Sequence, residues 1–134
     1  MRYLALVYLL ACITLWGTLQ QDSLEASKAR GRQVYEDFCI TCHQDSGEGV
    51  EGIYPPLASS DYLMAQRTPS IRGIKYGQRG PLEVNGITYD NVMIPMGLSD
   101  QEIADVMNFI RNTWGNRSTE EMVTEAEVSA VGPR

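Results

Sequence analysis

Five consecutive residues, Cys39-Ile40-Thr41-Cys42-His43, constrain this chain more than anything else in it. Two thiols three positions apart sit on one turn, where each can add across a vinyl group of the same porphyrin. The histidine directly after the second thiol is then held under the iron, within reach of a ring nitrogen. The run is the attachment signature of a c-type haem. It sets scarce residue types in fixed order, so a chance match in 134 residues is on the order of one in a thousand at average composition.

Other uses of paired cysteines fit less well. A thioredoxin-like dithiol opens a helix after a strand, whereas this pair closes a stretch with helical spacing. A zinc site needs four ligands; the remaining cysteine is Cys12, in a hydrophobic leader, and His43 is the one histidine of the chain. A disulfide between Cys39 and Cys42 would close a very small strained loop.

Residues 1–21 read as an export signal or membrane anchor. Arg2 supplies one positive charge ahead of an apolar run from Tyr3 to Leu19. Export agrees with the haem signature, since c-type maturation takes place outside the cytoplasm. Three fates are open to the leader: cleavage, retention as an anchor at the short limit of a spanning helix, or lipid attachment to Cys12 within Leu9-Leu10-Ala11-Cys12. The apolar residues after Cys12 count against the lipid. The expected location is the periplasm or the outer face of a membrane.

Lys and Arg number 11 against 17 Asp and Glu, a formal net charge of −6, which argues against nucleic-acid binding. No glycine loop of the P-loop or dinucleotide type is present. There is no internal repeat.

Helical spacing of Leu24, Gly31, Val34, Tyr35 and Phe38, with Asp22 and Ser23 as N-cap candidates, predicts a first helix from about Ser23 to Phe38. Residues 44–60 read as loop, since Pro55-Pro56 cannot lie inside a helix. Asp61 is expected to cap a short helix reaching about Gln66. Asn85-Gly86 between Leu82-Glu83-Val84 and Ile87-Thr88-Tyr89 predicts a hairpin. Ser99 and Glu102 form a capping box, Leu98 and Ile103 a hydrophobic staple, and Ile103, Val106, Met107 and Ile110 one apolar face, in a helix expected to end at Trp114-Gly115. Thr124 and Glu127 repeat the box spacing ahead of a short helix over about 125–131. The organisation expected is a leader (1–21), a haem domain (22–116) and a tail (117–134).

With no second histidine, the other iron ligand is expected to be a methionine. Met93 and Met96 lie just ahead of the capped helix; Met64, Met107 and Met122 fall in or near helical stretches, where core packing is the ordinary role. The stretch from Met64 to Leu82 holds Arg67, Arg72, Lys75 and Arg79 and no acid, against acidic Asp100–Asp105 and Glu120–Glu127. That asymmetry raises the prospect of a basic docking face for an acidic partner.

Taken together, these features resemble the class I monohaem cytochromes c over residues 24–116. Gly31 and Tyr35 match the glycine and aromatic of that family's first helix, and Phe109 the aromatic of its last. Tyr54-Pro55-Pro56-Leu57 resembles the loop whose proline carbonyl, here Pro55, accepts a hydrogen bond from the proximal histidine. The runs Val84–Met93 and Ile110–Asn116 resemble a narrower group, the small bacterial cytochromes and the domains fused to copper nitrite reductases and quinone-dependent dehydrogenases. Its ligand methionine is typically followed by proline, whereas Ile94 follows Met93 here.

The resemblance implies an all-α fold, a small helical bundle around one covalent haem c with a short β-hairpin. Cys39 and Cys42 would carry the haem, His43 and Met93 would ligate iron with Met96 as second choice, and Pro55 would support His43. The function implied is electron transfer between redox-protein donors and acceptors in a respiratory or dehydrogenase chain, with no catalytic residue. The rivals are a haem enzyme or gas sensor with an open axial site, or a cytochrome subunit of a membrane oxidoreductase.

Overall fold

The computed structural model describes residues 23–133; the leader, Cys12 and Asp22 lie outside the described residues. The chain runs α1 (Leu24–Phe38), α2 (Ile40–His43), α3 (Asp61–Ala65), α4 (Arg67–Tyr76), β1 (Leu82–Val84), β2 (Ile87–Tyr89), α5 (Asp100–Ile110) and α6 (Glu125–Ala130). It is the expected helical bundle with one hairpin.

The terminal helices cross because small residues let them. In α1, Ser27 and Gly31 are four apart and so share a face, and both are buried against α5. Ser27 Oγ donates to Asp105 (2.6 Å) and accepts from Asn108 Nδ2 (2.9 Å). Arg30 closes the same carboxylate with two bonds, of 2.7 and 2.8 Å, so a buried charge is paired and hydrogen-bonded. Around the crossing, Val34, Tyr35, Ile103, Val106, Met107 and Ile110 are buried. Each side chain of this kind contributes about 1.5–3 kcal/mol when it leaves water.

Local chemistry sets most boundaries. Ser23 caps α1. Ser99 and Glu102 form the reciprocal capping box of α5, and Thr124 Oγ1 accepts from Glu127 N at the start of α6. Asn85 (φ 51°) and Gly86 (φ 78°) both take the left-handed conformation that a two-residue hairpin turn requires. β1 and β2 pair antiparallel, with Leu82 opposite Tyr89.

Two expectations are corrected, and one helix is added. The cap of α3 is Ser60, whose side chain accepts from Leu63 N. Asp61 instead clips the helix to the hairpin: its carboxylate accepts from Asn85 N (2.8 Å), and Asn85 Oδ1 accepts from Asp61 N (3.0 Å). Secondly, α5 ends at Ile110, four residues before Trp114. Trp114 itself has φ 50°, and its ring packs on Tyr35 (centroids 4.8 Å apart) and Phe109 (5.2 Å). The basic stretch, to which the sequence assigned no element, contains a full helix, α4. Pro69 is its third residue, where a missing N–H costs nothing because the first turn has no intrahelical acceptor. Ile71 is fully buried and anchors the helix.

Among the described residues no helix is long and apolar enough to cross a membrane.

Candidate haem site

The signature residues follow directly from α1. Cys39 is its C-cap, its N–H bonded to Tyr35 O, and Ile40–His43 form one further turn. Gln44 then takes φ 65°, and its carbonyl accepts from Tyr35 OH at 2.6 Å, which ties the end of the motif back to α1. Burial raises the Tyr35 phenol far above its ordinary value, with the Cys39 thiol beside it adding to the shift, so this hydroxyl stays a donor.

His43 Nδ1 lies 2.9 Å from Pro55 O. A proline carbonyl only accepts, so Nδ1 carries the proton and Nε2 keeps the lone pair that binds metals. Burial lowers the His43 pKa, partly countered by this bond, and the neutral ring is the form that ligates. Gly49 makes room for the carbonyl: a Cβ there would meet Tyr54 O at 2.3 Å and Pro55 O at 2.8 Å. Leu57 and Ala58 hang on Gly47 O (2.7 and 2.8 Å), and buried Asn116 donates to Leu57 O at 2.6 Å. The loop bearing Pro55 is thereby fixed from both ends.

No disulfide joins Cys39 and Cys42. Burial, followed by the neighbouring Cys42, pushes the Cys39 thiol up to about 11. Among the described residues no group of three His, Cys, Asp or Glu side chains is placed to hold a metal.

Cys39, Cys42 and His43 open onto a cavity of about 340 Å³, and Met93 and Met96 line the same space. Leu57 and Leu63, Ile74 of α4, Val84 and Tyr89 of the hairpin, and Val106 of α5 complete an apolar wall. Four side chains on this wall, Phe38, Ile53, Val92 and Ile94, are 44–59% exposed. Large apolar groups turned into one open cleft fit a flat apolar prosthetic group that covers them, with thiols and imidazole at its edge. The α4 contribution was missed in the sequence because Pro69 and Gly73 hid the helix; the spacing of Ile71 and Ile74 was its one signal. Met107, by contrast, is fully buried in the core, and Met64 and Met122 are partly buried away from the cavity lining.

The two candidate methionines differ in backbone support. Met93 is bridged both ways to Gln78, Gln78 N to Met93 O at 2.9 Å and Met93 N to Gln78 O at 3.0 Å.

Two of the four cations in the basic stretch, Arg67 and Lys75, are ion-paired within the fold, and Arg79 is exposed. Arg67 pairs with Glu127 through bonds of 2.7 and 2.6 Å, Lys75 with Asp100 at 2.9 Å, and Arg72 donates to Gly132 O at 3.0 Å. Residues of both acidic stretches, Asp100 and Glu127, thus lie against the basic one and reduce the asymmetry.

A sequence model of the cytochrome c family matches residues 28–114. The chain belongs to the cytochrome c family. Cytochrome c-552 of Thermus thermophilus is 37% identical over 108 residues, 77% of this chain and 72% of the relative. The cytochrome c subunit of a quinone alcohol dehydrogenase from Gluconacetobacter polyoxogenes is 34% identical over 104 residues, 75% of this chain but 22% of that subunit. The cbb3-type oxidase subunit FixP of Bradyrhizobium diazoefficiens is 30% identical over 97 residues, 69% of this chain and 32% of the relative. As a cytochrome c, the protein binds one covalent haem c and is an electron carrier.

Proposed function

We propose that this cytochrome works outside the cytoplasm, with Cys39 and Cys42 joined to the haem as thioethers, His43 and Met93 as axial ligands, and Pro55 supporting His43. The observation that carries the assignment is the meeting of both thiols, a histidine with its Nδ1 on a carbonyl, and a backbone-pinned methionine around one apolar cavity. Bound haem supplies a one-electron Fe(III)/Fe(II) couple, and methionine ligation favours the reduced form relative to a second histidine. The chain's own residues orient the imidazole through Pro55 O, exclude water with the apolar wall, and hold the thioether donor in place.

The leader supports export, by cleavage, by retention of residues 3–19 as an anchor, or through a lipid on Cys12. The dehydrogenase and oxidase subunits among the relatives support donors and acceptors in a membrane oxidoreductase chain. The test takes the purified native protein. Denaturation in acid acetone should leave the haem on the polypeptide, and the reduced spectrum should barely respond to carbon monoxide. Free extraction of the haem would sink the thioether assignment; immediate carbon monoxide binding would favour the open-site rival.

A further inference from the structure

Residues 115–133 lie beyond the 28–114 span of the family match, yet they are built into the haem domain. Asn108 on α5 grips this segment with both ends of its amide, donating to Val123 O (2.8 Å) and accepting from Val123 N (2.7 Å). Val123, Val128 and Val131 enter the core. Buried Arg111 joins the segment to α3, donating to Glu120 and, at 2.7 Å, to Leu63 O.

The segment's main polar hold is on α4. Arg67 binds Glu127 twice and donates to Glu121 O at 2.7 Å. Arg72 reaches Gly132 O (3.0 Å), Lys75 reaches Val128 O (2.9 Å), and Tyr76 OH reaches Val131 O (3.1 Å). Four α4 side chains, spread from its first residue to its last, are therefore committed to it.

The C-terminal end of α4 runs straight into the methionine loop. Gly77 takes φ +87°, and a Cβ there would meet Met93 O at 2.8 Å. Gln78, next along, makes the two-way bridge that holds the Met93 backbone.

We propose that residues 117–133 are a strap that positions the iron-ligating methionine: they fix α4, and α4 fixes Met93 through Gln78. This rests on Met93 being the ligand. A thioether is a weak, neutral donor, so its occupancy of iron depends on how firmly its backbone is pre-placed. The strap thus controls how readily the methionine side of the haem opens, from residues that do not line the cavity.

The experiment uses full-length, haem-loaded protein carrying E127Q with Y76F, which weakens the strap's hold at both ends of α4. A control, Val34→Ala, removes core volume from α1 and leaves the strap intact. Three quantities are read: the sulfur-to-iron near-infrared band, the rate of carbon monoxide binding to the reduced protein, and the denaturant midpoint. In the strap variant the band should weaken and carbon monoxide should bind about tenfold faster while the protein remains folded, as expected for loss of charge-assisted bonds. V34A, at comparable loss of midpoint, should leave both unchanged. Equal effects in V34A, or a lowered midpoint with band and rate unchanged in the strap variant, would overturn the positioning role. A band absent from the wild type, or surviving Met93→Leu, overturns the ligand assignment and the proposal with it; that failure shows in different samples.

Discussion

A Cβ placed on Gly31 would lie 2.0 Å from the carbonyl oxygen of Asp105 and 2.4 Å from its carbonyl carbon. Helices α1 and α5 therefore meet backbone to backbone, and the atom in the way belongs to a helical main chain that has nowhere to go. Gly31→Ala should destabilise the haem-loaded protein by about 3 kcal/mol in guanidinium unfolding. The gain in helix propensity, about 1 kcal/mol, is too small to offset it. Gly132→Ala, with nothing within 4 Å, serves as the neutral comparison. A loss of less than about 1 kcal/mol for Gly31→Ala would mean that the crossing yields.

The carbonyl of Pro55 is a hydrogen-bond partner of the His43 ring, at 2.9 Å, and Gly49 is what lets that carbonyl sit there. Gly49→Ala pushes on Tyr54 O and Pro55 O from a position already at φ +63°. Losing the bond makes the imidazole a poorer donor and so disfavours Fe(III). The midpoint potential should rise, by on the order of 40 mV for one neutral hydrogen bond and a one-electron couple. A potentiometric titration checks the sign; an unchanged or lower midpoint would contradict the role given to Pro55.

Much of this was legible because it rests on local chemistry. The Ser99/Glu102 box, the Asn85-Gly86 turn and the spacing of Ile103, Val106, Met107 and Ile110 each satisfy backbone or burial requirements within a few residues. Gly31 could be read as a close approach because a glycine in mid-helix otherwise costs stability. What stayed hidden is tertiary. α4 is helical because Ile71 is buried and because a segment some 50–60 residues later, about Glu121 to Gly132, takes its side chains. No window around Pro69 and Gly73 contains that information. The same distance concealed the pairing of Arg67 with Glu127, so charges that look free in sequence are spent within the fold. α5 stops four residues short of Trp114, whose ring packs on Tyr35 of α1, a contact between residues 79 apart that no local window contains.

Glu127 carries a pH dependence of its own. Hydrogen bonds from Arg67 hold its carboxyl below its ordinary 4.5. A depressed folded-state value means that the stabilisation is complete above about 4.5 and disappears as the pH falls through the folded value. Glu127 and Arg67 are only partly exposed, at 32% and 18%, so the contribution should be about 1 kcal/mol. Denaturant midpoints taken from about pH 6 down to about pH 3 should fall more steeply for wild type than for Glu127→Gln. Parallel curves would show that the pair contributes nothing measurable.

The choice between Met93 and Met96 now has a structural argument. Both line the cavity and both are partly buried, so exposure does not separate them. Backbone support does. Met93 sits in a two-way bridge to Gln78, at 2.9 and 3.0 Å, directly after the α4 terminus. Met96 is followed by Gly97 at φ +71°, Leu98 and then the Ser99 cap, and among the described residues no bridge fixes its own backbone. A weak neutral ligand needs a pre-placed backbone, which favours Met93. Against this, Pro95 lies directly before Met96 and not beside Met93. Met93→Leu should abolish the sulfur-to-iron near-infrared band, lower the midpoint potential and open the haem to carbon monoxide. Met96→Leu, a volume-conserving swap, should keep the band and cost less than about 1.5 kcal/mol. The reverse pattern would move the ligand to Met96, and the bridge to Gln78 would then be support for the cavity wall alone.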